Sequence, residues 1–230
     1  LPFKLTNAQE RTIKEISDDI SLAKPMRRLV QGDVGSGKTV VAAVSMYISA
    51  KNNTQSVLLC PTEVLAEQHF KNFSVWFKNS NIKIELLTGK MPVSKRRGIY
   101  QDLENGVIDI LIGTHAVFQD KVKMKNLGLI VVDEQQRFGV KQRFDLVKKS
   151  SNQIMPHQLF MTATPIPRTL AMTIFADLET SKIDELPPGR KPVETLVYSD
   201  KKKDEIVKRL ENVCKSGNQV FWLCTMIEES

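Results

Sequence analysis

The stretch of sequence that decides the fold is Gly32-Asp33-Val34-Gly35-Ser36-Gly37-Lys38-Thr39. It matches the pattern G-x-x-x-x-G-K-[ST] and lies between an apolar run and a helix-period segment, as a phosphate-binding loop requires. Glycines let the backbone curl around phosphate with its N–H groups pointing inward, because no Cβ stands in the way. Lys38 is expected to reach the β- and γ-phosphates, and the Thr39 hydroxyl to coordinate Mg²⁺. The stretch predicts binding of ATP or GTP, with a plain glycine-rich turn as the alternative.

Short apolar runs rich in β-formers alternate with helix-period stretches from about residue 27 to residue 162. The predicted strands are 28–31, 56–60, 83–87, 108–112, 129–132 and 158–161, and the predicted helices between them are 38–50, 64–77 and 92–105. This alternation is typical of an α/β fold in which a parallel sheet is covered by helices on both faces.

A linker is predicted at 187–192, because prolines and a glycine exclude helix and sheet interior there. Beyond it, 193–198 and 219–224 are predicted as strands and 200–214 as a helix with one apolar face. One strand, one helix and one strand cannot bury a core of their own. The predicted organisation is therefore a domain at 1–186, the linker, and a truncated second domain at 193–230.

The composition favours a polyanionic partner. The 230 residues include 33 Lys and Arg against 26 Asp and Glu, a formal charge of +7. The three cysteines are too few and too widely spaced for a disulfide framework or a zinc site. No apolar run approaches the roughly 18 residues that span a bilayer. We therefore expect a cytoplasmic protein that does not enter membranes.

Two acids follow the predicted strand 129–132. A magnesium-bound triphosphate needs a carboxylate at the end of a strand beside the phosphate loop. Asp133 would hold Mg²⁺, directly or through water, and Glu134 would orient and activate the attacking water. A solvated acidic turn is the alternative, which the accompanying phosphate loop disfavours.

Several further segments are distinctive: Asp133-Glu134-Gln135-Gln136-Arg137-Phe138-Gly139-Val140, Met161-Thr162-Ala163-Thr164-Pro165-Ile166-Pro167-Arg168-Thr169-Leu170, and the runs at 1–9, 184–192 and 228–230. Together they resemble superfamily 2 helicases, and specifically their RecG branch. The resemblance covers essentially the whole chain. The translocases of transcription-coupled repair share the ATP-site motifs but usually lack the run at 184–192, so RecG is favoured.

The resemblance implies a RecA-like first lobe and the beginning of a second RecA-like lobe. It also implies ATP and Mg²⁺ as cofactors, and a bacterial, cytoplasmic DNA helicase or translocase. Such an enzyme remodels branched DNA, including forks and Holliday junctions, in repair and recombination. An amino-terminal wedge domain and the remainder of the second lobe, with its arginine finger, would lie outside this sequence. We expect the chain alone to bind nucleotide but to turn it over poorly.

Residue roles also follow from the resemblance. Gln9 would recognise the adenine edge, with Phe3 as a stacking surface, whereas without the family Gln9 is equally a solvated first-turn residue. Thr162 and Thr164 would link the state of the γ-phosphate to movement between lobes. Gln136 stands where the family commonly has His, and its amide can still donate and accept hydrogen bonds.

Three loops after predicted strands resemble the motifs that contact the nucleic-acid strand. Contacts of this kind reach phosphates through hydroxyls and backbone amides, which suits movement independent of sequence. The candidates are Pro61, Thr62, Thr88, Gly89, Gly113, Thr114 and His115. Each loop alone could equally be a simple cap. His69 and His157 carry no functional signal, and core packing is favoured for Trp76 and Phe77.

Two other classes of protein stay open at the level of sequence. A phosphate-loop enzyme unrelated to nucleic acid, such as a small-molecule kinase, is disfavoured by the Thr-Ala-Thr segment. A non-hydrolysing nucleotide-binding module is disfavoured by intact Lys38, Asp133 and Glu134.

Overall fold

A computed structural model of the chain describes residues 1–134, 155–164, 178–189 and 193–223. The chain divides into two units, Leu1–Arg190 and Lys191–Ser230. The division falls within the Pro- and Gly-rich segment 187–192.

The first unit is organised by a parallel sheet. The described part of the chain contributes seven strands, β1 (Arg27–Gly32), β2 (Gln55–Leu59), β3 (Ile84–Leu87), β4 (Ile110–Gly113), β5 (Leu127–Val132), β6 (His157–Thr162) and β7 (Glu179–Ile183). Their order across the sheet is β3-β4-β2-β5-β6-β1-β7, and every pairing between neighbours is parallel. All six strands predicted between residues 27 and 162 are present, with bounds that differ by at most two residues.

Helices connect the strands. They are α1 (Asn7–Ile20), α2 (Lys38–Lys51), α3 (Glu63–Trp76), α4 (Val93–Glu104) and a 3₁₀ helix at His115–Phe118. The three helices predicted from the sequence correspond to α2, α3 and α4. Helix α1 and strand β7 were not predicted.

Core residues lie on both faces of the sheet, because successive side chains of a strand point to opposite sides. Leu58 of β2 packs in a cluster with Met46 and Phe73 on one face. Its neighbour Val57 packs in a second cluster with Leu103 on the other. The predicted α/β fold, a parallel sheet with helices on both faces, is confirmed.

The second unit contains a 3₁₀ turn, Asp200–Lys202, followed by helix α5 (Lys203–Lys215). The predicted helix is therefore present, but the two predicted strands are wrong: 193–199 and 219–223 form no strand, and residue 224 lies outside the described residues. A strand persists only where a ladder satisfies its backbone and a neighbour buries one face. Neither segment has this, since Val197, Phe221 and Leu223 are 94%, 90% and 96% exposed.

The helices of the described ranges are too short or too polar to cross a bilayer.

Candidate nucleotide site and adjoining loops

The phosphate loop joins β1 to α2, and two of its glycines are required by its geometry. Gly37 caps α2 with φ of +91°, a conformation that strains any residue with a Cβ. A Cβ added there would lie 2.2 Å from Nε2 of Gln9. At Gly32, an added Cβ would lie 2.6 Å from the Oγ of Ser36. A side chain at either position would therefore collide with neighbouring atoms, so both positions favour glycine.

Lys38 holds its ammonium group against this loop. Its Nζ donates to the carbonyl oxygens of Gly32 at 2.6 Å and Asp33 at 2.9 Å. Among the described residues, the buried Oγ of Ser36 has no hydrogen-bond partner. Thr39 follows in the first turn of α2 and is half-buried. A helix N-terminus, an ammonium group and an unsatisfied buried hydroxyl in one loop fit a magnesium-bound polyphosphate.

Asp133 follows β5 and is held at both carboxylate oxygens. The main-chain N–H of Glu134 donates to its Oδ1 at 3.1 Å, and its Oδ2 lies 3.0 Å from Nε2 of His69. Its own N–H donates to the carbonyl of Leu59 on β2 at 2.9 Å. Glu134 has φ of +50°, the left-handed region that non-glycine residues rarely adopt. Such strain persists where the surroundings enforce it, as at functional sites.

His69 was not identified from the sequence as a functional residue. It lies on α3, is 6% exposed, and packs edge-on against Phe73. A helical histidine among apolar positions gives no sequence signal for a contact with a distant acid. The same environment affects Cys60, because burial, reinforced by the charge of Asp133, raises the pKa of its thiol far above the usual range. The thiol is thus kept neutral at the edge of the site.

Gln9 is not the solvated helical residue that the sequence left open. It is 3% exposed, and its Nε2 donates to the carbonyl of Ser36 in the phosphate loop at 2.8 Å. Its Oε1 accepts from the N–H of Thr6 at 3.0 Å, while its own N–H donates to the Thr6 hydroxyl. This reciprocal pair is a capping box. Phe3 lies nearby in sequence, 45% exposed, with its ring edge-on to Trp76.

The turn after β6 lies beside the phosphate loop's strand. Thr162 is fully buried and pairs in register with Gln31 of β1. Its hydroxyl oxygen is 2.9 Å from that of Thr164, and the N–H of Thr164 donates to it at 3.1 Å. The Gln31 side chain donates to the carbonyl of Thr164 at 3.4 Å. Gln136 lies outside the described residues.

The three candidate strand-contacting loops follow β2, β4 and β3, which are neighbours in the sheet. Thr62 is exposed and caps α3 by accepting from the N–H of Leu65 at 3.3 Å. The Lys90 ammonium contacts the Glu63 carboxylate at 3.2 Å, which joins the first of these loops to the loop after β3. The structure therefore brings these loops together along one half of the carboxyl edge.

The candidate residues of these loops differ in exposure. Thr88 and Thr114 are buried, Pro61 is half-buried, and Gly89 and His115 are exposed. A Cβ at Gly113 would lie 2.5 Å from the carbonyl oxygen of Leu87, so packing between β3 and β4 already accounts for this glycine.

Comparison with known proteins identifies the family. Residues 6–173 match the family model of the DEAD/DEAH box helicases. The whole chain is 50% identical to an ATP-dependent DNA helicase RecG of Haemophilus influenzae, covering 34% of that protein. It is 51% identical to the RecG of Aquifex aeolicus, covering 29% of it. The chain thus spans about a third of the length of the curated relatives it matches.

Solved structures give the same picture. A structure titled as RecG bound to a three-way DNA junction matches 94% of this chain and 29% of that chain, with a TM-score of 0.82 and 41% identity. A DEAD-box helicase, Mss116 bound to ssRNA and UDP-BeF, matches 92% of this chain and 47% of that chain, with a TM-score of 0.66 at 20% identity, which shows the shared RecA-like fold alone. The chain belongs to the DEAD/DEAH box helicase family, with RecG helicases as relatives at about 50% identity over its full length.

Proposed function

We propose that this protein is an ATP-dependent DNA helicase or translocase of the RecG type, which uses ATP hydrolysis to remodel branched DNA in repair and recombination. The observation that carries the proposal is the arrangement of the carboxyl edge of the sheet. The loops after β1, β5 and β6 form the candidate nucleotide site, and the loops after β2, β4 and β3 lie beside it. The N–H of Asp133 bonded to the carbonyl of Leu59 joins the two halves. A motor needs the two sites to be adjacent, because the state of the bound nucleotide must change how tightly the protein holds a nucleic-acid strand.

The residues of the phosphate loop and of β5 are assigned to magnesium and nucleotide. Lys38 would bind the β- and γ-phosphates, Thr39 and Asp133 would hold Mg²⁺, and Glu134 would orient the attacking water. Bound Mg²⁺ supplies charge that neutralises the phosphate oxygens during transfer. The short reach from the Lys38 ammonium to the loop carbonyls supports its role, since phosphate oxygens would replace carbonyls as acceptors.

Gln9 is assigned to adenine, with Phe3 as a stacking surface. The Gln9 amide bonds Thr6 and Ser36, and its oxygen and its nitrogen could each make one further bond, through which it would contact the base. Because the same amide bonds the carbonyl of Ser36, adenine binding would act directly on the phosphate loop. Thr162 and Thr164 are proposed to pass the γ-phosphate state to the second lobe, together with Gln136.

DNA is assigned to the hydroxyls and backbone amides of the loops after β2, β4 and β3. The charge of +7 supports a phosphate backbone as the partner. One relative is described as bound to a three-way DNA junction, which supports branched DNA. We assign recognition of the branch itself to a wedge domain outside this sequence, and the arginine finger to the remainder of the second lobe. A bacterial cytoplasm is the proposed compartment.

The other candidate functions have less support. The relatives found do not favour a transcription-repair coupling translocase, because they are RecG proteins over the full length of the chain. A small-molecule kinase does not explain the match of residues 6–173 to the DEAD/DEAH box helicases. A non-hydrolysing module does not explain an intact set of Lys38, Asp133 and Glu134.

The decisive experiment measures ATPase rate with and without forked DNA. It uses this chain and a version extended through a complete second lobe. Lys38→Ala removes the phosphate contact, and Lys51→Ala at the far end of α2 is the matched control. We expect DNA-stimulated hydrolysis only in the extended protein, abolished by Lys38→Ala and kept in Lys51→Ala. If the extended protein hydrolyses ATP but ignores DNA, the nucleic-acid assignment fails and only the nucleotide site survives.

A further inference from the structure

A histidine that the sequence analysis left without a role contacts the proposed magnesium ligand. The Nε2 of His69 lies 3.0 Å from Oδ2 of Asp133, and both side chains are buried, 7% and 12% exposed. The two residues are 64 positions apart in sequence, on α3 and at the end of β5. The contact therefore depends on the fold and not on local chain geometry.

The direction of this bond follows from the role of the carboxylate. An ionised carboxylate is acceptor-only, so a bond to Asp133 requires that His69 donates from Nε2. In the neutral ring Nδ1 is the acceptor, and it is buried with no hydrogen-bond partner among the described residues. A buried polar nitrogen without a partner lowers stability. Packing alone does not call for this side chain, because a leucine would fill comparable space without that cost.

The bond completes the restraint on the Asp133 carboxylate. Its Oδ1 accepts from the N–H of Glu134, and the backbone of Asp133 is tied to Leu59. Because Oδ2 is also bonded, both oxygens are held and rotation of the carboxylate is restricted. Partners that orient a metal-binding carboxylate commonly change metal affinity or activity by about 10- to 100-fold when removed.

We propose that His69 is a positioning residue, which sets the orientation of the Asp133 carboxylate for Mg²⁺ without touching metal or nucleotide. The inference rests on the proposed assignment of Asp133 to magnesium. It extends that site to α3, the helix that is capped by Thr62 of a proposed strand-contacting loop.

The test compares His69→Leu, which removes the donor, with His69→Gln, whose amide N–H reaches about as far as Nε2. Fluorescent N-methylanthraniloyl-ADP is titrated against each protein in excess Mg²⁺ and in EDTA. We expect His69→Leu to keep the affinity measured in EDTA and to lose about tenfold of the Mg²⁺-dependent gain. His69→Gln should restore most of that gain. In an Asp133→Ala background, His69→Leu should have no further effect.

The other outcomes overturn either the role of His69 or the magnesium assignment of Asp133. If His69→Leu keeps the full Mg²⁺ gain, or loses the same affinity in EDTA, the positioning role is overturned while the nucleotide site stands. If Mg²⁺ does not raise the nucleotide affinity of the wild-type chain, the assignment of Asp133 to magnesium is overturned before the role of His69 is tested against it. Should His69→Leu fail to fold, His69→Asn replaces it, because its shorter amide mimics Nδ1 and cannot reach Asp133. Equal Mg²⁺ gains in His69→Asn and His69→Gln would then overturn the inference.

Discussion

The side-chain nitrogen of Gln9 donates to the main-chain carbonyl of Ser36 at 2.8 Å, across 27 positions of sequence. The side-chain amide of Gln9 thus completes the capping box of α1 and bonds that helix to the phosphate loop. The packing is close enough that a single Cβ at Gly37 would collide with it. The amino-terminal segment and the nucleotide site are therefore one structural unit.

Replacing Gln9 tests this connection. Gln9→Ala loses the bonds to Thr6 and Ser36 and is expected to lower the free energy of unfolding by about 1–3 kcal/mol in urea denaturation. Gln9→Glu keeps an acceptor for the N–H of Thr6 but cannot donate to Ser36, so it isolates the contact with the loop. If Gln9→Glu matches the wild type in stability and nucleotide affinity, the connection has no energetic role.

Alanine substitutions at Gly37 and Gly98 are expected to change the stability of the protein in opposite directions. Gly37→Ala places a Cβ at φ of +91° and 2.2 Å from Gln9, so it should destabilise the protein and weaken nucleotide binding. Gly98 lies inside α4 with nothing within 4 Å of an added Cβ. Gly98→Ala should therefore stabilise by about 0.5–1 kcal/mol through helix propensity and a less flexible unfolded chain. Thermal unfolding and nucleotide titration measure both. Equal effects of the two substitutions would contradict the geometry.

Arg28 ties α1 and β7 to β1. Its Nε contacts Asp19 at 2.7 Å, and its Nη1 contacts Glu15 at 3.3 Å and Ser181 at 2.8 Å. Arg28→Met should destabilise by about 2–3 kcal/mol, below the range for fully buried pairs because both carboxylates keep contact with water. Arg97→Met, at an exposed position of α4, should cost less than about 0.5 kcal/mol. Urea denaturation of the pair gives the difference, and equal losses would rule out the network as the cause.

The sheet was predictable because buried parallel strands are continuous apolar runs, as in β2 and β5. Strand β7 escaped because it is an edge strand with only Ser181 and Ile183 buried, and the sequence Glu-Thr-Ser-Lys-Ile has little apolar character. In the second unit, 193–198 and 219–224 had strand-like composition. Composition alone does not supply a neighbouring strand, so the described parts of those segments form none.

The candidate site was likewise predictable only in part. Motif spacing predicts which side chains follow adjacent strands, since parallel strands end at one edge, and the roles of these residues stay predictions. It does not reveal which distant side chains meet there. Gln9 with Ser36, and His69 with Asp133, are contacts between elements far apart in sequence, and hydrophobic periodicity reports only the face on which each residue lies.

His157 predicts a pH dependence of stability. Its Nδ1 accepts from the N–H of Met26 at 2.9 Å, which requires an unprotonated nitrogen. Burial lowers the pKa of His157 below the ordinary value of 6.5, although the charge of Asp19 opposes this. Between the folded and unfolded pKa values the unfolded chain binds more protons, so stability rises with pH in that window. The contribution is therefore complete above about pH 6.5 and is lost as the pH falls toward the folded value.

His157→Asn separates this group from the carboxylates that also titrate in acid. The Asn side-chain oxygen mimics Nδ1 and can accept from Met26 without taking up a proton. The variant should lose less stability than the wild type between about pH 7 and pH 5 in urea denaturation. The wild-type protein, measured over the same pH range, supplies the reference slope. If His157→Asn keeps the wild-type slope, the neutral ring of His157 is not what makes folding sensitive to acid.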